Sequence, residues 1–160
     1  MKHSVLLDTS FFVHLLNDED ALHRNALGYF NYFLDHEITL KISTISIAEY
    51  CVRGKIDELP LRNLQIIPFN LNHGKRTGEF ARILFDANHQ NQLNLTPRAI
   101  IPNDSKLFAQ ADLDQTVTHF VTSDVRSNKT FNTLKSNEHL KFEIIDISTP
   151  YNERFGVLNF

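Results

Sequence analysis

Hydrophobic and polar positions along the chain alternate between two periods. "SVLLD" (4–8) is a short apolar run that reads as a buried strand. It enters "TSFFVHLLN", one or two helical turns, and then "DEDALHRNALGYFNYFL" (18–34). Apolar residues at 22, 26, 29/30 and 33/34 give that segment a helical period, with Asp18 placed as its N-cap. "EITLKIST" (37–44) alternates and is rich in Ile and Thr, so it predicts a strand; "ISIAEYCVRGK" (45–55) returns to helix and stops near Gly54. "NLQIIPF" (63–69) is a third strand, and "NHGKRTGEFARILFDANHQ" (72–90) is helical by period, though Gly74 and Gly78 weaken its first turns. "NQLNLTPRAIIPN" (91–103) holds two prolines and no period, a loop; "NDSKLFAQADLD" (103–114) is helix. "VTHFVTSD" (117–124) and "KFEIIDIS" (141–148) complete a set of five strands. The tail "TPYNERFGVLNF" is irregular but apolar, and is expected to pack on the domain or on a partner.

Strands alternating with helices predict an α/β domain with a mainly parallel sheet and right-handed crossovers. No repeat or linker divides the chain, so residues 1–160 are expected to form one domain. Composition adds limits. At 42 % hydrophobic residues, with 13 Phe, the chain has enough apolar mass for a core and no low-complexity character. Cys51 is the only cysteine, which excludes an internal disulfide; packing rather than nucleophilic chemistry is its expected role. Asp8 interrupts the only apolar stretch near the N-terminus, and no segment approaches the roughly 18 apolar residues of a membrane span. A cytoplasmic protein without membrane contact is the expectation. The net charge of −3 does not favour a general nucleic-acid binder, although a local basic rim around an acidic site remains compatible with it.

Chemistry in such sheets collects beyond the carboxyl ends of the strands. Asp8 and Asp124 fall there, and if their strands are neighbours the two ends lie about 5 Å apart. Asp104 shares an apolar helical stripe with Leu107, Phe108 and Ala111, and Glu49 follows the second strand among Ile45, Ile47, Ala48 and Val52. A charge on a buried face is costly unless it is paired or metal-bound. Each acid also has an ordinary reading. Asp8 can N-cap the following helix, Ser46-x-x-Glu49 matches a capping box, Asp104 suits a first helical turn, and Asp124 suits a polar turn in "SDVRSN". Four acids at one sheet edge outweigh four separate accidents, and such a cluster suits hard divalent cations with oxygen ligands.

In "LLDTSFF", "ISIAEY", "NDSKLFAQA" and "FVTSD" the chain resembles the PIN-domain family, with Asp8, Glu49, Asp104 and Asp124 in the family's order. The resemblance covers about residues 4–148 and implies a three-layer α/β/α sandwich with strand order 3-2-1-4-5. It implies a Mg²⁺- or Mn²⁺-dependent nuclease cutting RNA, in bacteria and archaea often the VapC-type toxin of an antitoxin partner, and often a homodimer. The ligand set carried over is Asp8, Glu49, Asp104 and Asp124. Asn128 stands where many members have a further acid, a weaker carbonyl donor. Thr9 and Ser10, and likewise Ser123, would orient Asp8 or metal-bound water, and Arg53, Lys55, Arg126 and Lys129 flank the acids as phosphate contacts. Lys106, unusual beside Asp104, is expected to point elsewhere. The apolar helix 18–34 and the tail are candidates for a dimer face.

Two other classes compete. A non-catalytic member of the same scaffold would bind RNA or protein, a reading that Asn128 supports. A phosphatase of the haloacid dehalogenase type needs a second Asp two residues after the first, where this chain has Ser10. Eight histidines form no H-x-H or H-E-x-x-H pair, so zinc has no foothold, and no P-loop, G-x-S-x-G or G-x-G-x-x-G occurs.

Overall fold

β1 (Ser4–Leu7) is buried along its whole length, as a strand covered on both faces must be. A computed structural model describes residues 2–89 and 104–156, so the expected loop 91–103 and the last four residues lie outside the described residues. β1 pairs in parallel with β2 (Thr39–Ser43) on one side and β4 (Val117–Thr122) on the other. β3 (Leu64–Ile67) and β5 (Glu143–Asp146) flank them, giving the all-parallel order 3-2-1-4-5.

Alternation along the strands divides the core in two. Leu6 and Phe120 point to one face, where they meet α4 (Leu71–His89), α5 (Asp104–Leu113) and α6 (Val125–Asn137) through Phe80, Leu84, Phe108 and Phe131. Val5, Leu7 and Val121 point to the other, against α1 (Thr9–Leu15), α2 (His23–Asp35) and α7 (Tyr151–Phe155). α3 (Thr44–Tyr50) follows β2 with no intervening loop. The result is the expected three-layer α/β/α sandwich.

Several local expectations are corrected. Asp18 caps nothing: α2 begins at His23, and Asp20 closes the preceding turn by accepting the Leu22 N–H at 2.8 Å. Ser46 is not the cap of α3, because the strand runs directly into the helix and Ser43 takes that place, its Oγ accepting the Ile45 N–H at 3.0 Å. Ser46 is instead fully buried inside the helix. Cys51 is exposed at the end of α3 rather than packed. α6 fills a stretch where the pattern shows no element. The tail packs as expected, through α7: Phe155 stacks on Tyr32 at 4.5 Å, and Tyr29 Oη donates to the Thr149 carbonyl. The face of α2 offered as a dimer surface is thus partly covered by the chain itself.

Candidate active site

Adjacent β1 and β4 bring the two most characteristic segments together. The Asp8 N–H extends the ladder to the Val121 carbonyl at 2.9 Å, so the carboxylate leaves the sheet beside the end of β4. Asp8 N-caps α1, its Oδ1 accepting the Thr9 N–H at 2.8 Å. Its Oδ2 accepts from Ser10 Oγ at 2.9 Å and Thr122 Oγ1 at 2.8 Å. Each hydroxyl has one proton, and both are given to Asp8, so the 3.3 Å Ser10–Thr122 approach carries no proton of its own. The same oxygens accept backbone donors, Ser10 Oγ from the Ser123 N–H at 3.1 Å and Thr122 Oγ1 from the Asp124 N–H at 3.0 Å. Capping through Oδ1 therefore leaves Oδ2 to the two hydroxyls at the sheet edge.

The other three acids come from three more elements. Glu49, in the last turn of α3, accepts from Thr9 Oγ1 on Oε2 at 3.1 Å, while Oε1 is buried with no partner among the described residues. Asp104, the first residue of α5, accepts from Ser127 Oγ at 3.1 Å. Asp124 N-caps α6 through the Arg126 N–H at 2.8 Å and stays partly open to solvent.

Electrostatics tie them together. Burial pushes the Asp8 carboxyl above the usual range despite its three hydrogen bonds, and the Asp124 charge adds to the rise. Burial and then the Asp8 charge push Asp104 up to about 7. Burial raises Glu49 too, with the Thr9 hydrogen bond opposing, the Asp8 charge adding and the Lys106 charge opposing. The four carboxylates form a set of hard oxygen donors of the kind that suits Mg²⁺ or Mn²⁺, and Glu49 Oε1 is a buried acceptor without a partner among the described residues. As the side chains stand, no group of three or more His, Cys, Asp or Glu among the described residues is close enough to hold an ion.

The remaining expected residues are placed as follows. Thr9 and Ser10 both turn to the acids. Asn128 donates from Nδ2 to the Asp124 carbonyl at 3.1 Å and to Asp146 Oδ2 at 3.4 Å, so it faces the site's margin. Arg53 is exposed beyond α3 and lines a groove of about 600 Å³ that Thr9 and Glu49 also line. Arg126 is exposed, its Nε 3.9 Å from Asp124 Oδ1; Lys55 and Lys129 are exposed as well. Three contributors escaped the sequence reading. Thr122 is the hydroxyl that joins Asp8 to the start of α6, and its signal was the Thr of "T-S-D", on the same side of the strand as Asp124. Asp146 ends β5 at the same sheet edge, a position the strand assignment already fixed. Ser127 had no signal without α6.

No family model matches the chain, and no curated protein matches it. Among solved structures, a chain of DNA-bound VapBC from Salmonella typhimurium aligns over 91 % of this chain and 98 % of its own, with a TM-score of 0.54 and 15 % identity. A chain of VapBC2 from Rickettsia felis, bound to a DNA fragment from its promoter, aligns over 89 % and 98 %, with a TM-score of 0.52 and 21 % identity. At such identities the likeness shows the architecture, and the PIN-like fold implied by the four sequence segments is the fold of this chain.

Proposed function

We propose that the chain is a Mg²⁺- or Mn²⁺-dependent endoribonuclease and the toxin of a toxin–antitoxin pair. The observation that carries this reading is the meeting of Asp8, Glu49, Asp104 and Asp124 at one edge of the sheet, each within reach of another's charge. Asp8, Asp104 and Asp124 would hold the cation with Glu49, and Asn128 would add a carbonyl oxygen. When bound, the cation supplies an activated water and stabilises the charge that builds on the phosphodiester. Ser10 and Thr122 keep Asp8 oriented, Thr9 does the same for Glu49, and Arg53 and Arg126 are placed to meet phosphates at the rim. The two VapBC neighbours support an antitoxin partner, and a homodimer belongs to the same proposal. Cleavage of RNA by the purified chain with Mn²⁺, abolished in Asp8→Asn, is the expected result; cleavage by the variant at the wild-type rate contradicts it.

A second reading, a non-catalytic module that binds RNA or protein, is favoured by one observation: the carboxylates are not drawn into a ready coordination sphere. RNA bound but left intact by the wild-type chain, with either metal, selects it.

A further inference from the structure

Ser123, between Thr122 and Asp124, joins the arrangement above only through its backbone N–H, which donates to Ser10 Oγ; its hydroxyl turns to His14. Its Oγ lies 2.8 Å from His14 Nε2, and His14 Nδ1 lies 2.7 Å from Asp20 Oδ1. A carboxylate can only accept, so Nδ1 carries the imidazole proton and the Nε2 lone pair faces the serine hydroxyl. The three residues come from different places, namely the end of β4, α1, and the turn before α2. Asp20 is itself fixed: the Leu22 N–H and then His14 hold its carboxyl below the usual range, so it stays ionised beside the ring. His14 and Asp20 are each only about a fifth exposed, which keeps the ring in one orientation.

From this geometry we infer that Ser123, His14 and Asp20 form a second chemical site, an activated serine that reacts with neutral, reactive acyl donors such as thioesters and aryl esters. A nucleophile within hydrogen-bond reach of a base, with the base oriented by a third group, is the arrangement that activates serine on unrelated folds. Ser123 also occupies a strand-to-helix turn, where nucleophilic serines of α/β enzymes lie, although Val121 and Val125 replace the glycines of the sharp elbow. The surroundings narrow the substrate. Neighbouring backbone donors are committed, Ser123 N–H to Ser10 Oγ and Asp124 N–H to Thr122 Oγ1. Base activation is therefore present without a backbone oxyanion cradle from these two groups, which suits donors with a good leaving group. The carboxylates of Asp8 and Asp124 close by disfavour anionic donors.

In the step itself the Ser123 hydroxyl proton passes to His14 Nε2 as Oγ bonds to the acyl carbon. The leaving aryloxide or thiolate departs with that proton. Water then attacks the acyl-serine, gives a proton to His14, and releases the carboxylic acid with Ser123 restored.

A neutral fluorophosphonate serves as probe, since it bonds to an activated serine through phosphorus with loss of fluoride and is not readily hydrolysed. Mass spectrometry of the labelled full chain should map the adduct to Ser123. The labelling rate should fall about 10²-fold or more in His14→Gln and at least tenfold in Asp20→Asn, which keeps the acceptor oxygen for Leu22. Circular dichroism identifies a variant that fails to fold, and Asp20→Asn then carries the test. No adduct at Ser123, or labelling that is indifferent to both substitutions in folded protein, overturns the proposal. Neither result depends on whether the chain cleaves RNA.

Discussion

Asp8 receives three hydrogen bonds and still holds its proton more tightly than a free aspartate, because it is 8 % exposed and faces other carboxylates. Thr122 is central to that balance. Thr122→Val removes one of the two hydroxyl donors to Asp8 Oδ2 and the acceptor of the Asp124 N–H, at nearly constant volume. It should cost about 1–3 kcal/mol in urea unfolding; an unchanged midpoint would mean the hydroxyl is dispensable. Asp104 gives a pH signature. Its folded-state pKa of about 7 lies above the unfolded value, so between about pH 4 and pH 7 the native state binds more protons than the unfolded one. Stability of the metal-free protein should therefore decline as pH rises through that window, by at most roughly 4 kcal/mol from this group. Asp104→Asn should flatten the decline, and thermal midpoints at pH 5 and pH 8 measure it. What was legible at this scale were the acids and the Thr9 and Ser10 hydroxyls beside the first of them; Thr122 and Ser127 were hidden, because a Thr at a strand end and a Ser in a polar stretch are unremarkable in sequence.

Elements were legible where apolar residues repeat and obscure where they do not. β1, β2 and β4 carry runs that only a buried strand explains. α6 buries Ser127 and Thr130 together with Phe131 and Leu134, so half of its inward stripe is polar and the helical period vanishes from the sequence. Helix starts were misplaced for a related reason: Asp18 and Ser46 have capping chemistry, but the direct strand-to-helix junction and the turn around Asp20 put the caps at other residues. α7 depends on close approach to α2. A Cβ at Gly28 would lie 2.7 Å from the Tyr151 ring. Gly28→Ala should therefore displace α7 even though alanine is the better helix former by about 1 kcal/mol. Hydrogen exchange should show faster exchange in 150–156 with the sheet unchanged; equal protection of α7 in both proteins would contradict the contact.

Across the whole molecule the two ends of the sheet are built differently. At the amino end charges are matched: Lys41 Nζ donates to Asp114 Oδ2 and Thr116 Oγ1, and Arg76 pairs with Glu79, Asp112 and Glu138. Burial would raise the Asp114 carboxyl, but Lys41 and Thr116 outweigh it and hold it below the usual range. Its stabilising contribution is thus present above about pH 4 and lost as pH falls further. Lys41→Met, which leaves that carboxylate unpaired, should destabilise by roughly 3 kcal/mol at pH 7; an unfolding midpoint equal to wild type would show the pair to be neutral. At the carboxyl end carboxylates from β1, α3, α5 and the start of α6 face one another, and among the described residues Lys106 lowers the Glu49 carboxyl and Arg126 the Asp104 carboxyl without cancelling the rise that burial imposes. Sheet order alone made that contrast foreseeable, since strands 1 and 4 must be adjacent for Asp8 to meet Asp124.

Calorimetric titration of the purified chain with Mn²⁺, alongside Asp8→Asn, tests the meaning of those facing carboxylates most directly. Saturable uptake by the wild-type chain that weakens at least tenfold in the variant is the predicted outcome. Uptake that is absent, or identical in the two proteins, would contradict a divalent-cation centre at this edge.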